Sequence, residues 1–375
     1  MSAASRSWRY ATLLGAALTL APVLAEDECG SGATMQTQLG SVIQVGAILE
    51  NGGLNEQNYE EEVGKVRYFR ALLAVRAPDK AKWYLTIRDQ SLRPLEVFSS
   101  SLNLDKKAIW TRRLYGQGST AFDLKADPGV EIEIRQVILM PDAATRPYYS
   151  LQKAGVYRFL PIEKAETGRR RLGDAVGMLM ASWKGVSWCC SGVAVAENRL
   201  LTNWHCGAPE TGVNADDYWN QDICDNTIID MSWDGDGNDR EFVCRKVIEK
   251  NQQKDYAILE IAARNGRDAL LPAPVRDSPV AAKENIIIVH HPACRPKQVS
   301  LSCRVVQPVY EGWKGQGTPD FTHDCDTEAG SSGAPVFDLQ NRLVGLHHLQ
   351  FSKPGGVCDK VNKGIRIEEI LARKP

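Results

Sequence analysis

Surplus charge is the first thing this chain lacks. Its 45 lysines and arginines meet 46 aspartates and glutamates, a formal net charge of −1. The basic footprint of a nucleic-acid binder is missing, so no nucleic-acid partner is expected. Beyond the N-terminus there is no run long and apolar enough to cross a membrane, and no membrane partner is expected. No helical period is sustained, no segment repeats at a fixed period, and no C-x-x-C pair stands at zinc-ribbon spacing. The chain is not short of core-forming material. Its 375 residues, 43% of them hydrophobic, are enough for two or three domains with a sizeable interior.

What is present starts at the N-terminus. Arg6 and Arg9 precede "ATLLGAALTLAPVL", which ends on a small residue. A basic start, a short apolar stretch and a small terminal residue make a secretory signal peptide over 1–25, with cleavage after Ala25. Glu28 precedes Cys29, where a lipoprotein site needs a small residue. Cleavage removes two arginines and leaves 43 basic against 46 acidic residues. The expected location is therefore secreted or periplasmic. Ten cysteines survive processing, and an even count in an oxidising compartment reads as disulfides. No cofactor and no metal are expected. The acidic stretch "DGDGND", Asp234 to Asp239, offers oxygen ligands but lacks the EF-hand pattern, and reads as a polar hairpin tip.

The two halves differ in pattern. In 26–160, "VEIEIRQVIL" sends Val130, Ile132 and Ile134 one way and Glu131, Glu133 and Arg135 the other. "WYLTI" repeats this with Trp83, Leu85 and Ile87, and "DPG" at Asp127–Gly129 is a turn. Such alternation marks half-buried strands, so a β-sandwich is expected, as either a pro-region or an accessory module. Residues 161–171 form a charged linker whose Arg169, Arg170 and Arg171 are a solvated loop or a processing site. Residues 172–375 hold nine of the ten cysteines and break into short strands: "SGVAVAENRLLTN", "DYAILEI", "ENIIIVHHP" and "GAPVFDLQNRLVGLH". "KGIRIEEILARK" ends in a short helix.

Three polar residues stand at strand ends in the second half: His205 in "LLTNWHC", Asp255 opening "DYAILEI", and Ser332 in "HDCDTEAGSSGAPVFD". A serine hydroxyl is a poor nucleophile until a base takes its proton, and that base must be held in one tautomer. In this order, and with these flanking strands, the three residues resemble the chymotrypsin/trypsin-like serine peptidases over about 200 residues. "GSSGAP" is similar to that family's G-x-S-G-x-P signature. The resemblance implies an all-β fold: two six-stranded antiparallel β-barrels, here with an N-terminal β-sandwich domain. It also implies Ser332 as nucleophile, His205 as base and Asp255 as orienter. Backbone N–H groups of Gly330 and Ser332 would form the oxyanion hole. The implied partner is a protein or peptide substrate; oligomeric state has no signal here.

Ser331 stands where trypsin-type members keep an aspartate that receives the new N-terminal amine. A trypsin-style activation switch is therefore not expected. Bacterial secreted members, such as glutamyl and lysyl endopeptidases, also lack that aspartate. Thr327 and His347 resemble the glutamyl arrangement, in which they would receive an acidic side chain. Asp326 occupies the place where trypsin-type members bind Lys or Arg, and "TEAGSSGAP" also looks like the lysyl enzymes, whose aspartate does not map securely onto Asp359. The pocket is thus Thr327, His347 and Asp326, with preference open. His290, His291 and His323 are expected to be structural and His348 exposed.

The family's histidine loop is closed by a disulfide, here Cys190–Cys206. The remaining cysteines suggest Cys224–Cys244, Cys294–Cys303, Cys325–Cys358 and Cys29–Cys189. Two rival classes stand beside the peptidase: a catalytically inactive homologue used for binding or adhesion, and an adhesin dominated by its N-terminal domain.

Overall fold

A computed structural model describes residues 37–38, 41–58, 66–101, 108–115, 119–141, 159–209, 213–234, 239–300, 302–312, 315–350 and 362–371. The expected signal peptide, Cys29, Cys358 and Asp359 lie outside the described residues. So do residues 235–238 of the acidic stretch.

After a two-residue strand, β1 (Thr37–Gln38), the first half contributes eight strands. They are β2 (Ser41–Ile48), β3 (Leu54–Asn58), β4 (Val66–Arg76), β5 (Trp83–Arg88), β6 (Pro94–Ser99), β7 (Ala108–Trp110), β8 (Ser119–Ala126) and β9 (Glu131–Pro141). They form two four-stranded antiparallel sheets, ordered β2-β9-β4-β7 and β3-β8-β5-β6. The alternation read from the sequence is the reason. Ile132 and Ile134 of one sheet and Trp83, Leu85 and Ile87 of the other share a single interior with Phe69, Phe122 and Leu124. Each buried Leu, Ile or Phe stabilises by about 1.5–3 kcal/mol. Gly129 turns the chain between β8 and β9 with φ +84°.

The alternation ends after Ile134, and Gln136 to Met140 are all buried. Strand β4 is likewise buried on both faces from Tyr68 to Ala74. The outer face of this sheet packs on the second half, with Tyr68, Leu72, Ile138 and Met140 against Met178, Met180 and Trp233.

Among the described residues, fourteen strands make up the second half. The first barrel uses β11 (Val176–Trp183), β12 (Val186–Ala196), β13 (Arg199–Thr202), β14 (Ile228–Asp230), β15 (Glu241–Asn251) and β16 (Tyr256–Ala263). They run β12-β11-β14-β15-β16-β13, and β13 pairs back to β12, closing a six-stranded antiparallel barrel. The second barrel follows β10 (Phe159–Pro161) and uses β17 (Asn285–His290), β19 (Cys303–Tyr310), β20 (Asp320–His323), β21 (Pro335–Asp338), β22 (Leu343–Gln350) and β23 (Asn362–Arg366). It runs β17-β19-β20-β23-β22-β21 and closes through β21 on β17. Strand β18 (Gln298–Ser300) joins β10 to its side. Closure leaves neither barrel an open sheet edge. Each has its own interior, and Val193, Leu201 and Ile258 of the first pack on Ile287, Phe337 and Leu346 of the second.

The linker expectation is changed in one respect: Thr167–Gly173 is a short helix with Leu172 buried beneath it and Arg170 and Arg171 exposed. The disulfides correct the sequence scheme in part. Cys190–Cys206 and Cys224–Cys244 are formed. Cys294 pairs with Cys189, not Cys303, and Cys303 pairs with Cys325. Hence Cys29–Cys189, Cys294–Cys303 and Cys325–Cys358 are all excluded. Local spacing misled because packing of one barrel on the other sets β12 beside the turn after β17, 105 residues away.

Candidate active site

The first barrel supplies an imidazole and a carboxylate. Strand β13 ends at Thr202, and the chain tightens into a 3₁₀ turn at His205–Gly207, clamped to β12 by Cys190–Cys206. Asp255 ends the turn between β15 and β16, in the left-handed region at φ +47°. Aspartate tolerates that conformation better than most residues. It grips His205 at two points: the backbone N–H donates to Oδ1 at 2.9 Å, and Nδ1 lies 2.8 Å from Oδ2. The Asn203 amide donates to the Asp255 carbonyl at 2.9 Å, fixing the turn itself. Both side chains are buried. Burial opposes the charge on Asp255, but His205 and His348 outweigh it and bring its pKa down to about 2. An ionised Asp255 holds the proton on His205 Nδ1 and leaves Nε2 as an acceptor.

The second barrel supplies the alcohol. Ser332 lies in the loop between β20 and β21, which is pinned to the first barrel by Ser191. The Ser191 N–H donates to the Ser332 carbonyl at 2.8 Å, and its hydroxyl donates to the Gly330 carbonyl at 2.9 Å. The Ser332 carbonyl also lies 3.8 Å from Cys206 Sγ, on the residue that follows His205. Among the described residues, the N–H groups of Gly330 and Ser332 have no acceptor, whereas those of Ser331, Gly333 and Ala334 do. Gly330 has φ +93°, and a Cβ there would meet the His291 carbonyl at 2.8 Å and Cys189 Sγ at 3.1 Å. At Gly333, φ is +81° and a Cβ would meet the Ser191 carbonyl at 2.2 Å. The glycine frame is a demand of close approach between the barrels.

The three residues read as a pocket, Asp326, Thr327 and His347, are all buried near this loop in sequence. The His347 carbonyl accepts from Gly333 and its N–H donates to Ala334, so its position is tied to that of Ser332. His347 Nδ1 lies 3.2 Å from His323 Nε2. Burial and the neighbouring histidines hold the His347 pKa well below the ordinary value. His290, also buried, has Nδ1 2.8 Å from Ser331 Oγ, and burial lowers its pKa to about 3. A neutral serine–histidine pair therefore occupies the place where trypsin-type members carry an aspartate.

Several functional neighbours escaped the sequence reading. Ser191 and Asn203 sit beside motif residues and carry no signal of their own. His348 was expected to be exposed and is instead buried, with its ring between Asp255 and Asp320. Adjacent residues on a regular strand face opposite sides, but β22 shifts register against β23 between His347 and Leu349. Such a bulge re-aims a side chain, and the outer side of the barrel here faces the other barrel. Of the acidic stretch, Asp239 pairs with Arg113 at 2.8 Å and Asp234 lies 3.6 Å from Lys297. The grouping of Cys190, His205 and Cys206 has metal-like closeness, but both sulfurs are spent in a disulfide.

Residues 190–346 match the family model of the trypsin-like peptidase domain. Curated relatives include a glutamyl endopeptidase of Staphylococcus epidermidis, 26% identical over 214 residues, covering 53% of this chain and 65% of the relative. A glutamyl endopeptidase of Staphylococcus aureus strain MW2 is 24% identical over 201 residues, covering 49% and 51%. The matches thus span less than two thirds of those relatives. Similar solved structures include the active form of the Rv3671c protease from M. tuberculosis, at 16% identity and TM-score 0.42, covering 63% of this chain and 92% of that one. An HtrA-type protease with tripeptide is 20% identical at TM-score 0.41, covering 54% and 60%. Both scores are low, and the fold assignment stands on the two closed barrels themselves. The second half of the chain thus has the two-barrel, chymotrypsin-like fold that the resemblance in its sequence implied, and residues 190–346 within it are similar to the trypsin-like peptidase family model.

Proposed function

We propose that the protein is an exported serine endopeptidase acting through an acyl-enzyme. Ser332 attacks the peptide carbonyl, His205 takes its proton and later returns it to the leaving amine, and Asp255 holds His205 and stabilises its cation. The N–H groups of Gly330 and Ser332 receive the developing oxyanion. The observation that carries this reading is the two-point grip of a buried, ionised Asp255 on His205, beside a serine loop whose two candidate donors are unengaged. Disulfides in the described residues suit export.

For specificity, the names of the relatives favour an acidic side chain before the scissile bond. His347 supports this: with Nδ1 engaged by His323, its Nε2 is the atom left for a substrate carboxylate, and Thr327 adds a hydroxyl. The test is a peptide-library digest. Cleavage after Glu, lost in Ser332→Ala, is expected; cleavage after Lys would reassign the pocket to Asp326. No observation favours the binding-only or adhesin alternatives.

We also infer that residues 37–141 stay with the peptidase rather than leaving as a pro-region. Arg70 of β4 is fully buried and reaches Asp230 at 2.8 Å and Glu241 at 2.6 Å on the first barrel. Removing the sandwich would strip those carboxylates of a partner and uncover Met178, Met180 and Trp233.

A further inference from the structure

His348 is unlike the other buried histidines of the second barrel. Its Nδ1 lies 3.1 Å from Asp255 Oδ2, and its Nε2 lies 3.0 Å from Asp320 Oδ2. All three side chains are essentially without solvent. A carboxylate only accepts, and a neutral imidazole has one N–H. A ring placed between two carboxylate oxygens satisfies both only as an imidazolium. Asp255 comes from the first barrel, and His348 and Asp320 come from β22 and β20 of the second. The bridge therefore spans the cleft directly behind His205.

We propose that His348 is a positioning residue for the reaction: as an imidazolium locked between Asp255 and Asp320, it fixes the carboxylate that orients His205. This rests on the peptidase reading given above. Asp255 Oδ2 is shared by His205 Nδ1 and His348 Nδ1, so its rotation is blocked from both sides. Asp320 is the anchor. Its other oxygen has no partner, and apart from His348 its nearest cation is Lys363 at 3.9 Å. The remaining charged or titratable groups facing the bridge are His205 from the first barrel, His323 on β20 and His347 on β22. His323 and His347 are held neutral by burial, so among the described residues the cations that reach Asp320 are His348 and Lys363. Burial disfavours the charge on His348, but Asp320 and Asp255 outweigh it and raise its pKa to about 9.

The sign of the pH effect follows. Below about pH 9 the bridge is intact; as pH rises through that value the proton leaves His348, and its one remaining N–H can serve only one of the two carboxylates, so Asp255 and Asp320 are no longer held together through the ring.

The experiment compares full-length wild type, His348→Gln and His348→Gln/Asp320→Asn by pH profiles of kcat and kcat/KM on a peptide substrate. The double variant removes the buried unpaired carboxylate and so separates folding cost from positioning. Both variants should lose about 10- to 100-fold in kcat, the scale of a small misplacement, with KM little changed. Both should lack the alkaline limb near pH 9 expected of the wild type. Restoration of kcat in the double variant would overturn the proposal in favour of a purely structural role. Wild-type kcat and an unchanged alkaline limb in His348→Gln would overturn it while leaving the peptidase reading intact. Nitrogen-15 NMR of histidine-labelled Ser332→Ala protein gives a readout without turnover. Two ring N–H groups on His348 at pH 8 are expected; a single one would overturn the proposal. Absence of hydrolysis by folded wild type would remove the peptidase reading and this role with it, even if both N–H groups are seen.

Discussion

Single residues carry the chemistry here through what surrounds them. In the proposed mechanism, Ser332 and His205 are ordinary residue types made reactive by a glycine frame and a buried carboxylate. Asp255→Asn should leave the fold in place and lower kcat by about 10⁴-fold, because a neutral amide no longer selects the His205 tautomer; steady-state kinetics with a circular-dichroism control checks this. Gly330→Ala has a different origin. It forces a side chain against the His291 carbonyl at 2.8 Å, displacing one oxyanion donor. An expected loss of about 10²–10³-fold in kcat follows, and unchanged kcat would mean that this N–H faces no developing charge. These residues stood out in sequence because their types and flanks match a family signature. His348 was not, since a register shift in β22 and the face of the opposite barrel decide its environment, and neither leaves a local mark.

At the scale of elements, the disulfide Cys189–Cys294 joins β12 of the first barrel to the turn after β17 of the second. Its sulfur lies under Gly330, so it supports the serine loop as well as the junction. The loop it closes spans 105 residues, which by chain entropy puts its contribution at about 4–5 kcal/mol. Cys189→Ala/Cys294→Ala should therefore lower Tm clearly and reduce kcat, whereas removing Cys224–Cys244 should lower Tm alone. Equal effects on kcat would deny the buttressing role. The sequence made the strands legible, through period-two runs such as "WYLTI", and the local pairs Cys190–Cys206 and Cys224–Cys244. It did not reveal the long-range pair, because spacing along the chain carries no information on which segments meet where the two barrels pack together.

For the whole molecule, the sandwich and the two barrels form one packed body among the described residues. Arg70, Arg113 and Arg264 weave Asp230, Glu241 and Glu96 into a buried ion network across the junction. Removing one member of such a network costs about 3–5 kcal/mol. Arg70→Met should accordingly lower stability by that order in denaturant titration. Burial opposes the charge on Glu241, yet Arg70 and Arg264 outweigh it and lower its pKa to about 2. Its contribution is complete above the unfolded value near pH 4.3 and is lost as pH falls through about 2. The acid stability slope between those limits should flatten in Arg70→Met. In sequence the sandwich read as a separable unit; the full burial of Tyr68 to Ala74 was the trace of its second contact, visible only once both faces had a partner.

The central claim is that Ser332 is a nucleophile activated by His205 across the two barrels. Mass spectrometry of the intact protein after fluorophosphonate treatment tests it most directly. One adduct, mapped to Ser332 and abolished in His205→Ala, is the predicted result. Folded protein that takes up no reagent, or takes it up at another residue, would contradict it.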